Sequence, residues 1–523
     1  MLAAIGLLVV AWAVAPFVLI ALNAAAHHRI FLGADSYYAP DQLQYLAFIR
    51  DGHSGLIPNL YGGAGSAVFV DPVWSLSGIV QGLTGVSGVA IMAFWKVVSI
   101  AALLAGVGWL VFRQIPASQP ARRAAALGLS LFGGLAPCAA VVFASQPSAL
   151  IHDANVLIPV ANLWGYAPIA IAIGLMPLAI EGMRLIADGQ GNRRLALATS
   201  GACLVVSWLH PWQGATLLLA FGVLLLGRWQ RTVGTGQRPI AAARALLADQ
   251  APAAIAIGAA GAAPIAYFVL LGRLNADWAN FSQTDSATLG ISLSVMCWCV
   301  LPLVAVAWAT VRAARTDPRL RGLIAWLLGA LLLVALRPPA QVHALGGVAI
   351  PLGVLVVRTW PARGGRRLRL VAAAGLAATA GTFAAYGVNA FSTVASPAAT
   401  NYSEIDPSDA RAVLVAGRLA AGRPILSPQQ LGVATPALVD HATWVGNKFW
   451  TPDSLWRYLK AASVFDHKAP TAAQVRSLVG SSGARAIIEP CGYHAKLEPA
   501  LRQLGFGELR IGCARVYAIG LRA

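Results

Sequence analysis

Residues 2–22 read LAAIGLLVVAWAVAPFVLIAL, and residues 33–52 read GADSYYAPDQLQYLAFIRDG. The first stretch has no charged residue and is about as long as an α-helix must be to cross the hydrocarbon of a bilayer. The second stretch follows the first closely and places Asp35 and Asp41 among tyrosines. Carboxylates beside a bilayer are costly unless water, partners or chemistry accounts for them, so this loop is where a functional site is expected.

Composition gives the class of protein. Hydrophobic residues make up 58% of the 523 and charged residues only 11%, with a mean hydropathy of +0.68. Soluble domains carry about 25% charged residues, so the chain is predicted to be an α-helical polytopic membrane protein. About eleven transmembrane helices are expected, at residues 2–22, 88–112, 124–144, 167–186, 195–209, 212–228, 248–271, 289–311, 322–336, 341–357 and 369–390.

Arginines are concentrated in alternate loops between these spans. With the N-terminus in the cytoplasm, the arginine-rich loops all lie inside, as the positive-inside rule requires. Their arginines are Arg113, Arg122, Arg123, Arg184, Arg193, Arg194, Arg228, Arg231, Arg238, Arg244, Arg312, Arg315, Arg319, Arg321, Arg358, Arg363, Arg366, Arg367 and Arg369. Topology therefore accounts for most of the net charge of +18, and no nucleic-acid partner is needed to explain it.

The first span resembles a secretion signal only in Ala24-Ala25-Ala26, a small-residue stretch. Its apolar run exceeds the length usual for a signal and lacks a basic start, so a retained anchor is expected. The preference for arginine over lysine and the abundance of alanine indicate a bacterial source. The expected location is the plasma (inner) membrane.

The pattern changes at about residue 391. RPILSP (423–428) and ARAIIEP (484–490) are typical of buried strands, while 409–422, 471–482 and 496–507 are typical of helices. We therefore expect residues 1–390 to form the transmembrane domain, with a first extracytoplasmic loop at 27–87. Residues 391–523 are expected to form a small extracytoplasmic α/β domain.

The six cysteines divide in the same way. Cys138, Cys203, Cys297 and Cys299 lie in or near spans, where they are expected to act as small apolar residues. Cys491 and Cys513 fall in the outer domain, where an oxidising compartment permits a disulfide between them.

Asp41 has two interpretations. The run from Asp41 to Ile49 has the spacing of an amphipathic helix on the membrane surface, and Asp41 follows Pro40 at its start. An aspartate there can simply cap the helix. It can also take the proton of an acceptor hydroxyl, the general-base step that transfer of a sugar from a lipid phosphate requires.

The first loop resembles that of GT-C glycosyltransferases. The resemblance is carried by residues 41–45 (DQLQY), 58–62 (PNLYG) and 71–74 (DPVW), and it is closest to the protein O-mannosyltransferases and lipid A aminoarabinose transferases. It implies that Asp41 is the base, with Asp35 as the alternative and Tyr45 nearby. Gln42 stands where these families have a glutamate, and Asp71 stands where they often have a lysine for the lipid phosphate.

A second stretch, at 337–343 (RPPAQVH), is similar to the segment that opens a late span in several GT-C families. Arg337 is either a phosphate ligand or a cation that reaches the lipid headgroups. His343, and His210 in the turn His210-Pro211-Trp212-Gln213, either assist substrate binding or serve structure. Trp212 is either an interface aromatic or a platform for a sugar ring.

Aromatic residues also cluster at 444–453 (WVGNKFWTPD), close to Arg457. Such a cluster fits a carbohydrate-binding surface or a surface that docks on the membrane interface.

Together these features predict an inverting membrane glycosyltransferase. Its donor would be a polyprenyl-phosphate-linked sugar, and its acceptor a hydroxyl of a lipid, glycan or protein. A divalent cation is a possible cofactor, and its ligands are not predicted. The alternatives are a transporter or flippase of a lipid-linked saccharide, and a glycan ligase or polymerase. Lys96 is the main ionisable residue inside a predicted span, and coupled transporters usually contain more of them.

Overall fold

The computed structural model describes residues 1–35, 39–62, 69–133, 157–288, 317–338, 341–359, 383–384, 387–388, 391–392, 402–466, 470–493 and 497–519. The span predicted at 289–311, the end of the span at 124–144 and most of the span at 369–390 lie outside these residues. Cys138, Cys297 and Cys299 lie outside them as well.

Helices dominate the described part of the chain up to residue 359. They are α1 (Leu2–Ala26), α2 (Ala39–Asp51), α3 (Pro72–Thr84), α4 (Gly88–Gln114), α5 (Pro120–Phe132), α6 (Ala167–Ala187), α7 (Arg193–Leu209), α8 (Pro211–Gly234), α9 (Pro239–Leu274), α10 (Ala276–Thr288), α11 (Leu320–Ala335) and α12 (Ala349–Thr359).

The protein is a multi-pass membrane protein. Among the described residues, 6 helical segments are long and apolar enough to cross a bilayer, and α11 is a shorter apolar helix. The 6 segments are Leu2–Ala26, Gly88–Gln114, Ala167–Ala187, Pro211–Gly234, Gln250–Leu274 and Val342–Thr359. The predicted total of about eleven spans stays a prediction.

The remaining elements follow residue 402. The helices are α13 (Pro407–Leu419), α14 (Gln429–Leu438), α15 (Ser454–Phe465), α16 (Ala472–Ser482) and α17 (Glu498–Gln503). The strands are β1 (Ile30–Phe31), which precedes α2, and then β2 (Glu404–Ile405), β3 (Ile425–Leu426), β4 (Ala486–Glu489), β5 (Phe506–Ile511) and β6 (Ala514–Ile519).

The chain divides into two compact units. Unit 1 consists of Met1–Val14, Trp95–Leu270 and Ser286–Ala390, and unit 2 consists of Ala15–Phe94, Leu271–Asp285 and Phe391–Ala523. Unit 2 therefore contains the first loop together with the C-terminal region, a grouping that the predicted boundary at residue 391 does not show.

Small residues let helices approach closely in unit 1. A Cβ atom built on Gly106 of α4 would lie 1.7 Å from the carbonyl oxygen of Gly174 in α6, and one on Gly329 of α11 would lie 2.7 Å from the carbonyl oxygen of Thr216 in α8. Only glycine fits at both places. Close contact through small residues is the usual way in which helices associate in a bilayer, where no hydrophobic force joins them.

Charged residues meet at one end of unit 1. Arg184, Arg231 and Arg321 each donate to the carboxylate of Asp188 at 3.0 Å. Glu181 accepts from Arg113 at 2.8 Å and from Arg184 at 2.7 Å. These four arginines come from loops predicted to share one side of the membrane, and the structure places them together. Assignment of that side to the cytoplasm stays a prediction.

The first loop and the C-terminal region pair in unit 2. β1 and β2 form an antiparallel pair in which Ile30 faces Ile405, and Tyr61 forms a parallel bridge with Thr443. Backbone pairing thus joins segments that lie more than 370 residues apart in the sequence.

The C-terminal region contains a four-stranded sheet of order β3-β4-β6-β5. β3 and β4 are parallel, while β4 with β6 and β5 with β6 are antiparallel. Ile487 and Tyr517 from this sheet and Leu478 from α16 share one hydrophobic core. Cys491 and Cys513 form a disulfide, as predicted.

Candidate functional site

Helix α2 carries the first-loop candidates. The helix starts at Ala39, so Asp41 is its third residue, and a carboxylate in the first turn interacts favourably with the helix dipole. The predicted helix is confirmed, but it does not have the one exposed polar face of an amphipathic helix. Its position on the membrane surface stays a prediction. α2 is buried along most of its length because α3 and α14 pack against it. Asp41 is among its few half-buried residues.

Asp35 is fixed to α2 by Gln42. The Gln42 side chain accepts a hydrogen bond from the Asp35 backbone N–H at 2.6 Å and donates one to Asp35 Oδ1 at 2.8 Å. Both residues are only 1% exposed. A glutamate at position 42 would set a second carboxylate against Asp35 and lose the donated bond. The glutamine that departs from the GT-C pattern therefore has a physical reason in this chain.

A divalent cation in this loop stays a prediction. The Gln42 amide donates to Asp35 Oδ1, so this carboxylate oxygen already has a hydrogen-bond donor. Among the described residues, the group that comes closest to a metal site is Asp406 with Cys491 and Cys513, whose sulfur atoms are bonded to each other. No step with a metal is derived for this site.

Asn447 holds the N-terminal end of α2 in place. Its side-chain N–H groups donate to the Pro40 carbonyl oxygen at 3.3 Å and to Gln44 Oε1 at 3.1 Å, and its Oδ1 accepts from the Phe449 backbone at 2.9 Å. Asn447 is 1% exposed. It fixes the turn that carries Asp41, and no periodicity or motif in the sequence indicates this contact.

The other end of α2 carries an acidic pair. The carboxyl group of Asp51 lies near that of Asp440. The pKa of Asp51 is raised to about 8, chiefly by burial and also by the nearby Asp440, while Arg50 opposes the shift. Arg50 also donates to the Leu438 carbonyl oxygen at the end of α14. Both ends of α2 are therefore tied to the C-terminal region.

Asp71 begins a helix. Its Oδ1 accepts from the backbone N–H groups of Val73 at 2.9 Å and Trp74 at 3.1 Å, and Pro72 occupies the first position of α3. Burial raises its pKa to about 6, and the two N–H donors oppose that shift. Tyr45 stacks on Trp74, with 4.5 Å between ring centroids. The DPVW motif thus begins helix α3, which packs against α2.

The PNLYGG stretch is anchored by the segment at 444–453. Asn59 donates to the Trp450 carbonyl oxygen at 3.0 Å, and Arg457 donates to the carbonyl oxygens of Gly62 at 2.8 Å and Trp444 at 3.0 Å. Gly62 has a φ of 84°, and a Cβ atom there would lie 2.3 Å from the Arg457 guanidinium. Glycine is therefore required at this position.

The aromatic segment at 444–453 is buried. Trp444 is 3% exposed, Trp450 4% and Phe449 8%. Trp450 packs on Phe48 of α2 and stacks on Phe281 of α10. The predictions of a carbohydrate surface and of a membrane-docking surface are therefore wrong for these rings, because Trp444 lies in the hydrophobic core of the C-terminal region and Trp450 packs against the first loop.

A second group of candidates lies in unit 1, and we call His210, Trp212, Gln213 and His343 the histidine cluster. The ring centroid of His343 lies 5.1 Å from that of His210 and 4.8 Å from that of Trp212. Gln213 donates to the His343 carbonyl oxygen at 2.8 Å. The structure thus brings together two motifs that lie 130 residues apart in the sequence.

Several buried polar atoms of this cluster have no hydrogen-bond partner among the described residues. They are Nδ1 of His210, Oε1 of Gln213 and Nδ1 of His343, together with Oγ1 of Thr216 one turn further along α8. Buried polar atoms without partners cost about 1–3 kcal/mol each, so such a concentration is typical of a place that binds a polar ligand or water.

Arg337 lies just beyond the end of α11, and its side chain is exposed. Its φ is 51°, in the left-handed region that favours glycine. A non-glycine residue there costs about 1 kcal/mol or more, and such strain is found mostly at functional sites. No partner of its guanidinium occurs among the described residues.

The candidates thus form two groups. Asp35, Asp41, Gln42, Tyr45 and Asp71 lie in unit 2, and His210, Trp212, Arg337 and His343 lie in unit 1. Tyr37 and Tyr38, which flank the first group in the sequence, are outside the described residues.

Solved structures that are similar to this chain include two enzymes that transfer sugars. One is the arabinofuranosyltransferase AftD from Mycobacteria, with 15% identity and a TM-score of 0.49 over 98% of this chain. The other is the oligosaccharyltransferase of Archaeoglobus fulgidus, with 11% identity and a TM-score of 0.42 over 86% of this chain. The chain spans 41% of the length of the first and 63% of the second.

No protein-family model and no curated protein match the chain. At the identities and TM-scores above, neither solved structure bears on donor, acceptor or residue roles. Both are glycosyltransferases of the GT-C superfamily, the superfamily that the first loop resembles.

Proposed function

We propose that this protein is a membrane glycosyltransferase that moves a sugar from a polyprenyl-phosphate-linked donor to an extracytoplasmic hydroxyl of a lipid, glycan or protein. The observation that carries the proposal is the position of Asp41. It is a half-buried carboxylate on the first turn of a helix that is otherwise mostly buried and is held at both ends. A general base needs to be both reachable and rigidly placed.

In this reaction the Asp41 carboxylate accepts the proton of the acceptor hydroxyl. The acceptor oxygen forms a bond to the anomeric carbon as the bond from that carbon to the phosphate oxygen breaks. The electron pair leaves with the polyprenyl phosphate, and the configuration at the anomeric carbon is inverted. Asp35 has a different role, because its contacts with Gln42 hold the start of α2.

Arg337 and the histidine cluster are assigned to the substrate. The Arg337 guanidinium would form forked hydrogen bonds to the departing phosphate, and its strained backbone supports a role for the side chain. Polar atoms of His210, Gln213 and His343 would bond sugar hydroxyls, and Trp212 offers a ring face. Since Asp41 lies in unit 2 and these residues lie in unit 1, the assignments are tested separately.

A transporter is less well supported. Lys96, the ionisable side chain predicted inside a span, donates to the carbonyl oxygens of Ala13 at 3.1 Å and Leu163 at 2.7 Å. These bonds give Lys96 a structural role in unit 1. Coupled transport would instead use intramembrane charges that change partners.

The test is an assay of the purified protein in proteoliposomes with radiolabelled polyprenyl-phosphate sugars and mixed acceptor glycans or lipids. The proposal predicts labelled acceptor with inverted anomeric configuration and release of polyprenyl phosphate. Movement of the intact donor across the vesicle membrane without transfer would identify a flippase. Transfer only from diphosphate-linked glycans would identify a ligase or polymerase.

One variant at Arg337 separates the effect of its side chain on transfer from the effect of its backbone conformation on stability. Arg337→Gly should preserve or raise stability, since glycine relieves the strain at φ 51°. It should lower transfer by about tenfold or more if the guanidinium contacts the phosphate. Arg273→Gln, which removes an exposed arginine in the last turn of α9, is the control. Transfer by Arg337→Gly equal to that of the control would remove Arg337 from the site.

A further inference from the structure

A cavity opens at the arginine-rich end of unit 1, and none of the candidates discussed so far lines it. Its walls include Gln114 at the end of α4, Gln119 and Arg122 at the start of α5, Arg319 before α11, and Val357 and Arg358 in α12. The empty space within it, counted out to solvent, is about 510 Å³. The walls thus offer three guanidinium groups and two amides.

The charges around this cavity are not balanced. Arg358 is paired with Asp317 and donates to Gln114 Oε1 at 2.5 Å, and Asp317 also accepts from the Arg319 backbone N–H. The Arg122 guanidinium donates to the neutral Gln119 side chain at 3.2 Å. Among the described residues no acid pairs with Arg122 or Arg319. One carboxylate therefore faces three cations.

Other arginines at the same end of unit 1 are paired with carboxylates. Arg184, Arg231 and Arg321 all donate to Asp188, and Arg184 also pairs with Glu181. Each of those arginines has a carboxylate partner, although all three share Asp188. Arg122 and Arg319 at the cavity have no carboxylate partner among the described residues.

Two helix starts add to the positive potential. Gln119 precedes α5 and Arg319 precedes α11, and neither helix has a side-chain cap or an acidic residue in its first turn. The free N–H groups and the positive end of the dipole at a helix start favour an anion. Dipoles and guanidinium groups thus act in the same direction.

We propose that this cavity binds a phosphate group, carried either by the headgroup of an anionic phospholipid or by free phosphate. Arg122 and Arg319 supply the charge and forked N–H donors, the Gln114 and Gln119 amides flank the anion, and Arg358 remains held by Asp317. Basic pockets between helices at the cytoplasmic surface are known to hold lipid headgroups. The site is independent of the proposed glycosyl transfer.

The test compares lipid retention by the full-length protein in detergent, measured by native mass spectrometry after addition of phosphatidylglycerol or phosphatidylcholine. Arg122→Gln/Arg319→Gln should weaken phosphatidylglycerol binding by about thirty-fold, with phosphatidylcholine unaffected. Arg193→Gln/Arg194→Gln removes the two exposed arginines that begin α7 and should bind like the wild type. Arg319→Gln alone, which breaks no side-chain bond among described residues, serves if the double variant fails to fold.

A second arm distinguishes the source of the phosphate. Inorganic phosphate is added to each protein, and the melting temperature is measured. Free phosphate is the ligand if it raises the melting temperature of the wild type and of the control but not of Arg122→Gln/Arg319→Gln, and if phosphatidylglycerol is not preferred over phosphatidylcholine. Equal binding by the cavity variant and the wild type, or an equal loss in the control, overturns the proposal.

Discussion

The contacts of Gln42 and Asn447 at the start of α2 and the histidine cluster both bury polar side chains, but their hydrogen bonding differs. Around α2, Gln42 is bonded to Asp35, and Asn447 is bonded to the Pro40 and Gln44 oxygens and to a backbone N–H group. In the histidine cluster, Nδ1 of His210 and of His343 have no partner among the described residues.

This difference separates two uses of buried polarity. Paired groups specify one arrangement of the chain, because any other arrangement leaves donors and acceptors unsatisfied. Buried polar groups without partners reduce stability, and they are found where a ligand or water supplies the missing hydrogen bonds. By this criterion the contacts at the start of α2 hold Asp41 in place, and the histidine cluster is the part of unit 1 where we expect the proposed substrate to bind.

Replacement of Asn447 should give the largest loss of stability. Asn447→Ala removes three hydrogen bonds and leaves Gln44 Oε1 and the Phe449 N–H buried without partners, so we expect a loss of about 2–3 kcal/mol. Thermal melts in detergent measure it. Gln503→Ala, at an exposed amide of α17, should change stability by less than about 0.5 kcal/mol. Equal melting temperatures for the two variants would contradict the importance of this contact.

Restoring the family glutamate should also be harmful. Gln42→Glu sets a carboxylate against Asp35 Oδ1, and we expect a loss of about 2 kcal/mol at neutral pH. The two carboxylates would share a proton, so the folded-state pKa of one is raised. The loss should shrink as pH falls toward 5. Gln44→Glu is the matched control, because a glutamate at position 44 would still accept from the Asn447 amide. A pH-independent loss in Gln42→Glu would argue against the carboxylate contact.

The smallest effect is expected in the histidine cluster. Thr216→Val replaces a buried hydroxyl that has no described partner, so stability should stay within about 0.5 kcal/mol or rise. Thr435→Val, at a buried hydroxyl of α14 that donates to the Leu431 carbonyl oxygen at 2.8 Å, should lose about 1 kcal/mol. Equal losses would erase the difference between the two regions.

Local patterns predicted much of this fold. Hydropathy located the described spans, α7 and α8 meet at His210 in the expected place, and β3 and β4 lie within the predicted strands. The disulfide between Cys491 and Cys513 was also predicted. The spans, turns and strands depend on residues that are close in sequence. The disulfide was predictable because only two cysteines fall in the C-terminal region.

Contacts over long sequence distances were not predictable. Asn447 bonds to Gln44 and Asn59 bonds to Trp450 across some 400 residues, and no periodicity encodes such pairs. For the same reason the aromatic segment at 444–453 resembled an exposed binding surface until its partners in the first loop were known. The candidate site was located by its motif, while the structure supplied the contacts that hold it.

The central claim is that Asp41 is a base and not only a favourable charge at the start of a helix. The measurement is the rate of transfer from a polyprenyl-phosphate sugar by Asp41→Asn, compared with Asp453→Asn. Asp453 is an exposed carboxylate in the same unit with a φ of 49°, where asparagine is well tolerated. We predict a loss of about 100-fold or more in Asp41→Asn with less than about 1 kcal/mol of stability lost, and near wild-type transfer in Asp453→Asn. Full transfer by Asp41→Asn would contradict the claim.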